Sequence, residues 1–196
     1  MNLPNKLTVI RIILAPLFML LALWEFPFHY AAALVVFIVA ALTDMLDGKI
    51  ARARGLVTNF GKFLDPLADK MLTTAAFLVF LSIGKMNVWA LMIVLTREFM
   101  VTSVRLLAAK DGTVIAASMW GKAKTVAQMV AIIYVLTALE FSTWQSGLLA
   151  AFALPSAVFT VPMVVGEVLI WISVALAAVS GADYVWLNRH YFIHDK

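Results

Sequence analysis

The sequence predicts an all-α integral membrane protein of six transmembrane helices, with both termini cytoplasmic and a polar cavity on the cytoplasmic side. Three observations lead there. Of the 196 residues, 64% are hydrophobic and only 13% charged, with a mean hydropathy of +0.98; a soluble domain is about half apolar and about a quarter charged. A globule of this length has too little interior to hide so much apolar surface, so lipid is part of the solvent. The apolar runs are continuous rather than alternating, which argues against a β-barrel, and Lys and Arg gather near the ends of those runs. A soluble enzyme, a disordered chain and a fibre are excluded. With no cysteine in the chain, disulfides, thiolate metal sites and thiol nucleophiles are impossible.

Apolar runs place spans at residues 7–24, 30–47, 63–84, 88–109, 123–140 and 164–187, each near the roughly 20 residues that cross a bilayer. The first run is expected to be a retained span rather than a cleaved signal, because it carries Arg11 and Pro16 and lacks a small-residue cleavage pattern. The break at Glu25–His29 has no Lys or Arg, and the break at Gly84–Asn87 has only Lys85. In contrast, Lys49, Arg52, Arg54, Lys62 and Lys70 crowd the next connection, and Lys110, Lys122 and Lys124 the one after. Basic connections alternate with nearly neutral ones, so the positive-inside rule puts both termini and the 48–62 and 110–122 loops in the cytoplasm. Residues 148–165 are apolar enough to span but contain Pro155 and Pro162. A seventh span there would send Arg189 and Lys196 outside, so the six-span reading packs this stretch on the bundle or at the outer interface. The net charge of +4 then reflects topology and an anionic ligand rather than nucleic acid. No internal repeat divides the chain, and residues 1–196 are expected to form one membrane domain.

Four of the eleven acidic residues fall within 26 positions: Asp44, Asp47, Asp65 and Asp69. Asp44 and Asp47 are spaced i,i+3 and Asp65 and Asp69 i,i+4, so each pair shares a helix face. Each pair also lies where an apolar run meets the same basic loop, so two antiparallel helices bring all four carboxylates to one depth. Four converging anions at a membrane surface must be protonated or neutralised by a cation. Carboxylates without nearby His or Cys are hard oxygen ligands that favour Mg²⁺, Mn²⁺ or Ca²⁺ over zinc, and four suffice for two ions bridged across a phosphate. The plainer alternative is a set of solvated loop carboxylates paired with Lys49, Arg52 and Lys62; their pairing on two facing helices disfavours it. Gly48, Ala51 and Gly61 beside the carboxylates permit close approach of a ligand or of another helix, and the sequence does not separate these.

The run Asp44-Thr-Met-Asp47-Gly48-Lys-Ile-Ala51-Arg52, then eight residues, then Gly61-Lys-Phe-Leu-Asp65-Pro-Leu-Ala-Asp69 resembles the CDP-alcohol phosphatidyltransferase signature in every fixed position. Pro4-Asn5-Lys-Leu7-Thr8 with Arg11, Arg97-Glu98-Phe99 with Val101, Thr102 and Arg105, and Gly121-Lys122-Ala-Lys124-Thr125 resemble the branch of that family whose acceptor is a glycerol phosphate. The likeness covers residues 1 to about 130, and beyond that only the span pattern matches. The resemblance implies a six-helix, usually homodimeric enzyme of the bacterial-type cytoplasmic membrane, with its site facing the cytoplasm. It implies displacement of CMP from CDP-diacylglycerol by an alcohol, here sn-glycerol 3-phosphate, giving phosphatidylglycerophosphate with Mg²⁺ or Mn²⁺ as cofactor. It further implies that Asp44, Asp47 and Asp65 are metal ligands, that Asp69 partly ligates and is the general base, and that Gly48, Ala51, Arg52 and Gly61 shape the CDP-lipid site.

A dianionic acceptor needs cations in its pocket. Arg97 and Arg105 fall within one apolar run, eight residues apart and close to one helix face, and intramembrane ionisable residues are functional candidates by default. Lys122 and Lys124 stand at the mouth of the next span. These four are the candidate acceptor-phosphate residues; Arg97 also has an obvious structural partner in Glu98. Arg11 and Thr8 are placed either against a substrate headgroup or as an interfacial cap. Most of the six Trp and four Tyr residues suit interfacial anchoring or packing. Sibling transferases using inositol phosphate or serine remain open alternatives. A divalent-cation transporter is disfavoured, because its acids would be spread over membrane depth.

Overall fold

The computed structural model describes residues 3–54, 59–110, 113, 115–116, 118–144, 149, 152 and 154–189; the side chains of 3–4, 45–54, 59–63, 65–66 and 110 are outside this description. All six expected helices are present: α1 Leu3–Leu23, α2 His29–Arg54, α3 Asn59–Ser82, α4 Val88–Lys110, α5 Met119–Thr143 and α6 Ala157–Leu187. No strand occurs among the described residues. Three helices, α1, α5 and α6, are long and apolar enough by themselves to cross a membrane. The other three carry the polar motifs on otherwise apolar sequence. The chain is a multi-pass membrane protein, and its surface agrees: Trp89, Phe99, Leu106 and Trp186 stand exposed, as lipid-facing side chains do.

Helix boundaries differ from the apolar runs because polar residues continue the helices inside the bundle. α1 begins at Leu3 rather than near 7, and Asn5, Thr8 and Arg11 are buried on the stripe that continues through Ala15, Phe18 and Ala22. α2 runs on to Arg54 and α3 starts at Asn59, so both reach well past the hydrocarbon-like segments. The sequence places the last span at 164–187, but α6 begins at Ala157 and takes in the second half of the 148–165 stretch. Pro162 removes one backbone donor near the helix start and does not end it. No seventh long helix lies among the described residues.

α1 packs on α2 and α3, α5 packs along α6, α4 meets α6, and α2 meets α5. One apolar core joins them, with Phe18, Phe37, Phe77, Phe80, Ile132 and Leu136 fully buried. The α5–α6 seam is close because small residues line α6: a Cβ on Gly166 would stand 3.0 Å from Val135 Cγ2, and Ser173, Ala177 and Ser180 are buried below it.

The connections have legible causes. α3 ends in a Schellman motif, in which Lys85 N donates to Phe80 O at 2.7 Å and Gly84 N to Leu81 O at 3.1 Å, with Gly84 at φ +71°. Asn87 caps α4 by accepting from Trp89 N at 2.8 Å. Ser118 caps α5 by accepting from Gly121 N at 3.1 Å. The start of α2 is held by a partner from α5: Glu140 accepts from Ala31 N and from Trp144 Nε1, both at 3.0 Å.

Candidate active site

The signature sits on the α2–α3 hairpin. Asp44 lies ten residues before the end of α2, and Asp69 ten residues after the start of α3. At about 1.5 Å per residue both stand about 15 Å from the short connection, so the antiparallel helices hold them level. Asp47 and Asp65 lie seven and six residues from the same connection, nearer its mouth. These two, with Gly48, Ala51, Arg52 and Gly61, lie on helical backbone whose side chains are outside the described residues.

Two of the four carboxylates, Asp44 and Asp69, have side chains among the described residues. Arg11, 2% exposed, holds Asp44 Oδ1 at 2.6 Å, while the Asp44 side chain keeps 42% exposure. Asp69 is exposed, and the charges of Asp44, Glu98, Lys124 and Lys70 all act on it. No hydrogen bond or ion pair engages Asp69 among the described residues. Two like charges within electrostatic reach, one of them open, on hard oxygen donors fit a divalent cation. Among the described residues no group of three or more potential metal ligands occurs; the side chains of Asp47 and Asp65 lie outside them.

Behind the hairpin lies a polar node centred on Glu98 of α4, which the sequence singled out only as a neighbour of Arg97. Lys124 of α5, 6% exposed, is ion-paired to Glu98 Oε1, and Arg97 Nη1 reaches the same oxygen at 3.1 Å. Arg97 Nη2 donates to Ser180 Oγ of α6 at 2.7 Å. Lys70 of α3 donates to Glu98 O at 3.2 Å and to the Thr102 hydroxyl, which itself donates to Glu98 O at 2.7 Å. α3, α4, α5 and α6 are therefore tied through one carboxylate-bearing turn. Two glycines make room for it: a Cβ on Gly121 would meet Arg97 Nη2 at 3.3 Å, and one on Gly181 would meet Arg97 Cγ at 3.1 Å.

The four candidate acceptor-phosphate residues are placed differently. Arg97 and Lys124 share Glu98. Arg105 is exposed, with its guanidinium 5.8 Å from the Tyr184 ring centroid, and its charge acts on Lys70 together with those of Glu98, Asp69 and Arg97. Lys122, two residues from Lys124, faces another side of α5 and is exposed; none of these contacts includes it. Lys70 thus joins the aspartate hairpin to the basic residues of α4, a link visible only once α3 and α4 are packed together. Arg11 was legible as a candidate from its place in an apolar run, but its partner was not.

The CDP-alcohol phosphatidyltransferase family model matches residues 1–179. A Bacillus subtilis protein named CDP-diacylglycerol–glycerol-3-phosphate 3-phosphatidyltransferase is 38% identical over 95% of this chain and 95% of its own. A Rickettsia bellii protein of the same name is 32% identical over 97% of each chain. A Mycobacterium tuberculosis protein named probable phosphatidylglycerophosphate synthase is 44% identical over 67% of this chain and 64% of its own. With the signature on one hairpin and these likenesses running along most of its length, the chain belongs to the CDP-alcohol phosphatidyltransferase family.

Proposed function

We propose that the protein transfers the phosphatidyl group of CDP-diacylglycerol to sn-glycerol 3-phosphate, giving phosphatidylglycerophosphate and CMP, at a site facing the cytoplasm. The observation that carries this is the level pairing of Asp44 and Asp69 on the α2–α3 hairpin, within electrostatic reach of Lys70, Glu98 and Lys124. The names of the relatives support the choice of substrates. The proposal treats residues 1–196 as one membrane domain of a homodimer.

Asp44, Asp47, Asp65 and Asp69 would hold the divalent metal, Mg²⁺ or Mn²⁺ and two ions by their number. When bound, the metal supplies charge neutralisation at the diphosphate. Arg11 orients Asp44 by pairing with one of its oxygens. Gly48, Ala51, Arg52 and Gly61 shape the cytidine diphosphate site, with Arg52 as the fixed cation. Asp69 accepts the proton of the acceptor hydroxyl as that oxygen bonds to the phosphorus bearing diacylglycerol. The bond from this phosphorus to the bridging oxygen breaks, and CMP departs with the electron pair. Arg105 offers the acceptor phosphate a guanidinium fork. Lys122 adds charge at the mouth, and Lys124 and Arg97, held by Glu98, contribute from behind.

The test is CMP release by purified protein from CDP-diacylglycerol, with glycerol 3-phosphate, inositol 1-phosphate, serine and glycerol as acceptors. Glycerol 3-phosphate should be preferred, EDTA should stop the reaction reversibly, and Asp69→Asn should lower kcat by about 10²–10⁴. Preference for another acceptor overturns the substrate choice, and full activity of Asp47→Asn or Asp65→Asn overturns the site.

A further inference from the structure

At the end of the bundle away from the aspartates, a cavity of about 360 Å³ opens where the Gly84–Asn87 turn meets α5 and α6. Lys85, Asn87, Glu167 and Trp171 stand on its wall, among apolar side chains. A shallower groove adjoins it along α6: Val164, Glu167 and Trp171 line both, and Val168, Ile172 and Ala175 extend the groove. From 164 to 175 the groove follows α6 for about 16 Å.

Glu167 lies within the most apolar helix of the chain and faces outward. An acid in such a position marks a functional site by default, and its partner has to be named. The cavity sets its depth. By sharing a wall with the α3–α4 turn, Glu167 stands level with that turn, where headgroups meet hydrocarbon. Lys85 is exposed on the same wall, and neither side chain makes an ion pair or hydrogen bond among the described residues. Glu167 only accepts and Lys85 only donates. One ligand satisfying both carries a cationic donor and an anionic acceptor, with apolar chains attached to suit the adjoining groove.

We propose that this cavity and groove bind a zwitterionic phospholipid whose headgroup carries a primary ammonium. Its ammonium meets Glu167, its phosphate meets Lys85, and one acyl chain follows Val168 and Ile172 along α6. A primary ammonium donates N–H bonds to the carboxylate, which a trimethylammonium does not, so the site discriminates between the two headgroups. The site is separate from the aspartate hairpin and does not depend on the proposed reaction.

The experiment is native mass spectrometry of the purified full-length protein, delipidated and then offered equal amounts of phosphatidylethanolamine, phosphatidylcholine and phosphatidylglycerol. Wild type should retain phosphatidylethanolamine over phosphatidylcholine by about tenfold, equivalent to about 1.4 kcal/mol. Glu167→Gln should abolish that preference, and Lys85→Gln should weaken retention of both lipids. Unchanged melting temperatures show that the variants are folded. Equal retention of the two lipids by wild type, or an undiminished preference in Glu167→Gln, overturns the proposal. A third outcome does so as well: if each single variant lowers the melting temperature while the charge-swapped Lys85→Glu/Glu167→Lys restores it with no lipid preference in any form, the two side chains serve each other.

Discussion

Breaking the Glu98–Lys124 pair from the Glu98 side leaves an ammonium buried at 6% exposure beside the Arg97 guanidinium. Removing one partner of a buried pair costs about 3–5 kcal/mol, because the other charge stays where it was. Glu98→Leu should therefore lower thermal stability in detergent strongly, and Glu98→Leu/Lys124→Met should recover much of the loss. Strict additivity of the two substitutions would dissolve the node as a unit. The exposed cations behave differently. Arg105→Ala should raise the KM for glycerol 3-phosphate about tenfold or more, on the scale of one or two charge-assisted hydrogen bonds, and change the KM for CDP-diacylglycerol little. Arg52→Ala should show the reverse split. If Arg105→Ala and Lys122→Ala both leave the acceptor KM unchanged, the acceptor pocket lies elsewhere. The four aspartates were legible because their spacing alone puts them on two faces of one hairpin. The links from Glu98 to Lys124 and Lys70, and from Arg97 to Ser180, were not, because those partners come from other helices and the sequence does not state the rotation of one helix against another. Even Arg97, for which Glu98 was the obvious neighbour, has a second partner 83 positions away.

At the scale of elements, two glycines of different kinds separate packing from backbone geometry. Gly84 has a left-handed backbone and nothing within 4 Å of where a Cβ would stand, so Gly84→Ala meets only the conformational penalty, about 1 kcal/mol. Gly166 is helical, and a Cβ there would meet Val135 at 3.0 Å and Tyr134 at 3.7 Å. Gly166→Leu forces the α5–α6 seam apart, an overpacking cost of about 1–3 kcal/mol on the seam that joins two of the three most apolar helices. Denaturation in detergent should rank Gly166→Leu below Gly84→Ala; equal effects would mean that the seam is loose. Helix number and order were legible from apolar runs interrupted by Gly, Asn and Pro. Helix ends were not. An apolar run reports what meets lipid, whereas α1 continues as a helix through the buried polar residues Asn5 and Thr8, and α2 runs on through the signature to Arg54.

Across the whole molecule, alternation of charge and alternation of helix direction point the same way. Six antiparallel steps return the chain end to the side on which it began, and the turns at Glu25 and Lys85 fall together on the other side. The basic residues of the α2–α3 and α4–α5 connections crowd the first side, so that side is expected to be cytoplasmic. The α6 helix, 31 residues and about 46 Å long, exceeds a hydrocarbon core of about 30 Å. Its extra turns must emerge at one or both surfaces, and with α6 starting at Ala157 the apolar segment before it need not cross. The absence of cysteine makes this directly measurable. Lys6, Glu25, Lys85 and Arg189 are all exposed, so each can be replaced singly by cysteine without opening the core. A membrane-impermeant maleimide applied to intact cells should label Glu25→Cys and Lys85→Cys, and should reach Lys6→Cys and Arg189→Cys only after the membrane is opened. Labelling of Arg189→Cys from outside, with Lys6→Cys protected, would require an odd number of crossings. The stretch before α6 would then have to cross the bilayer, and the cytoplasmic placement of α6's end beside the Arg97–Ser180 contact would fail with it.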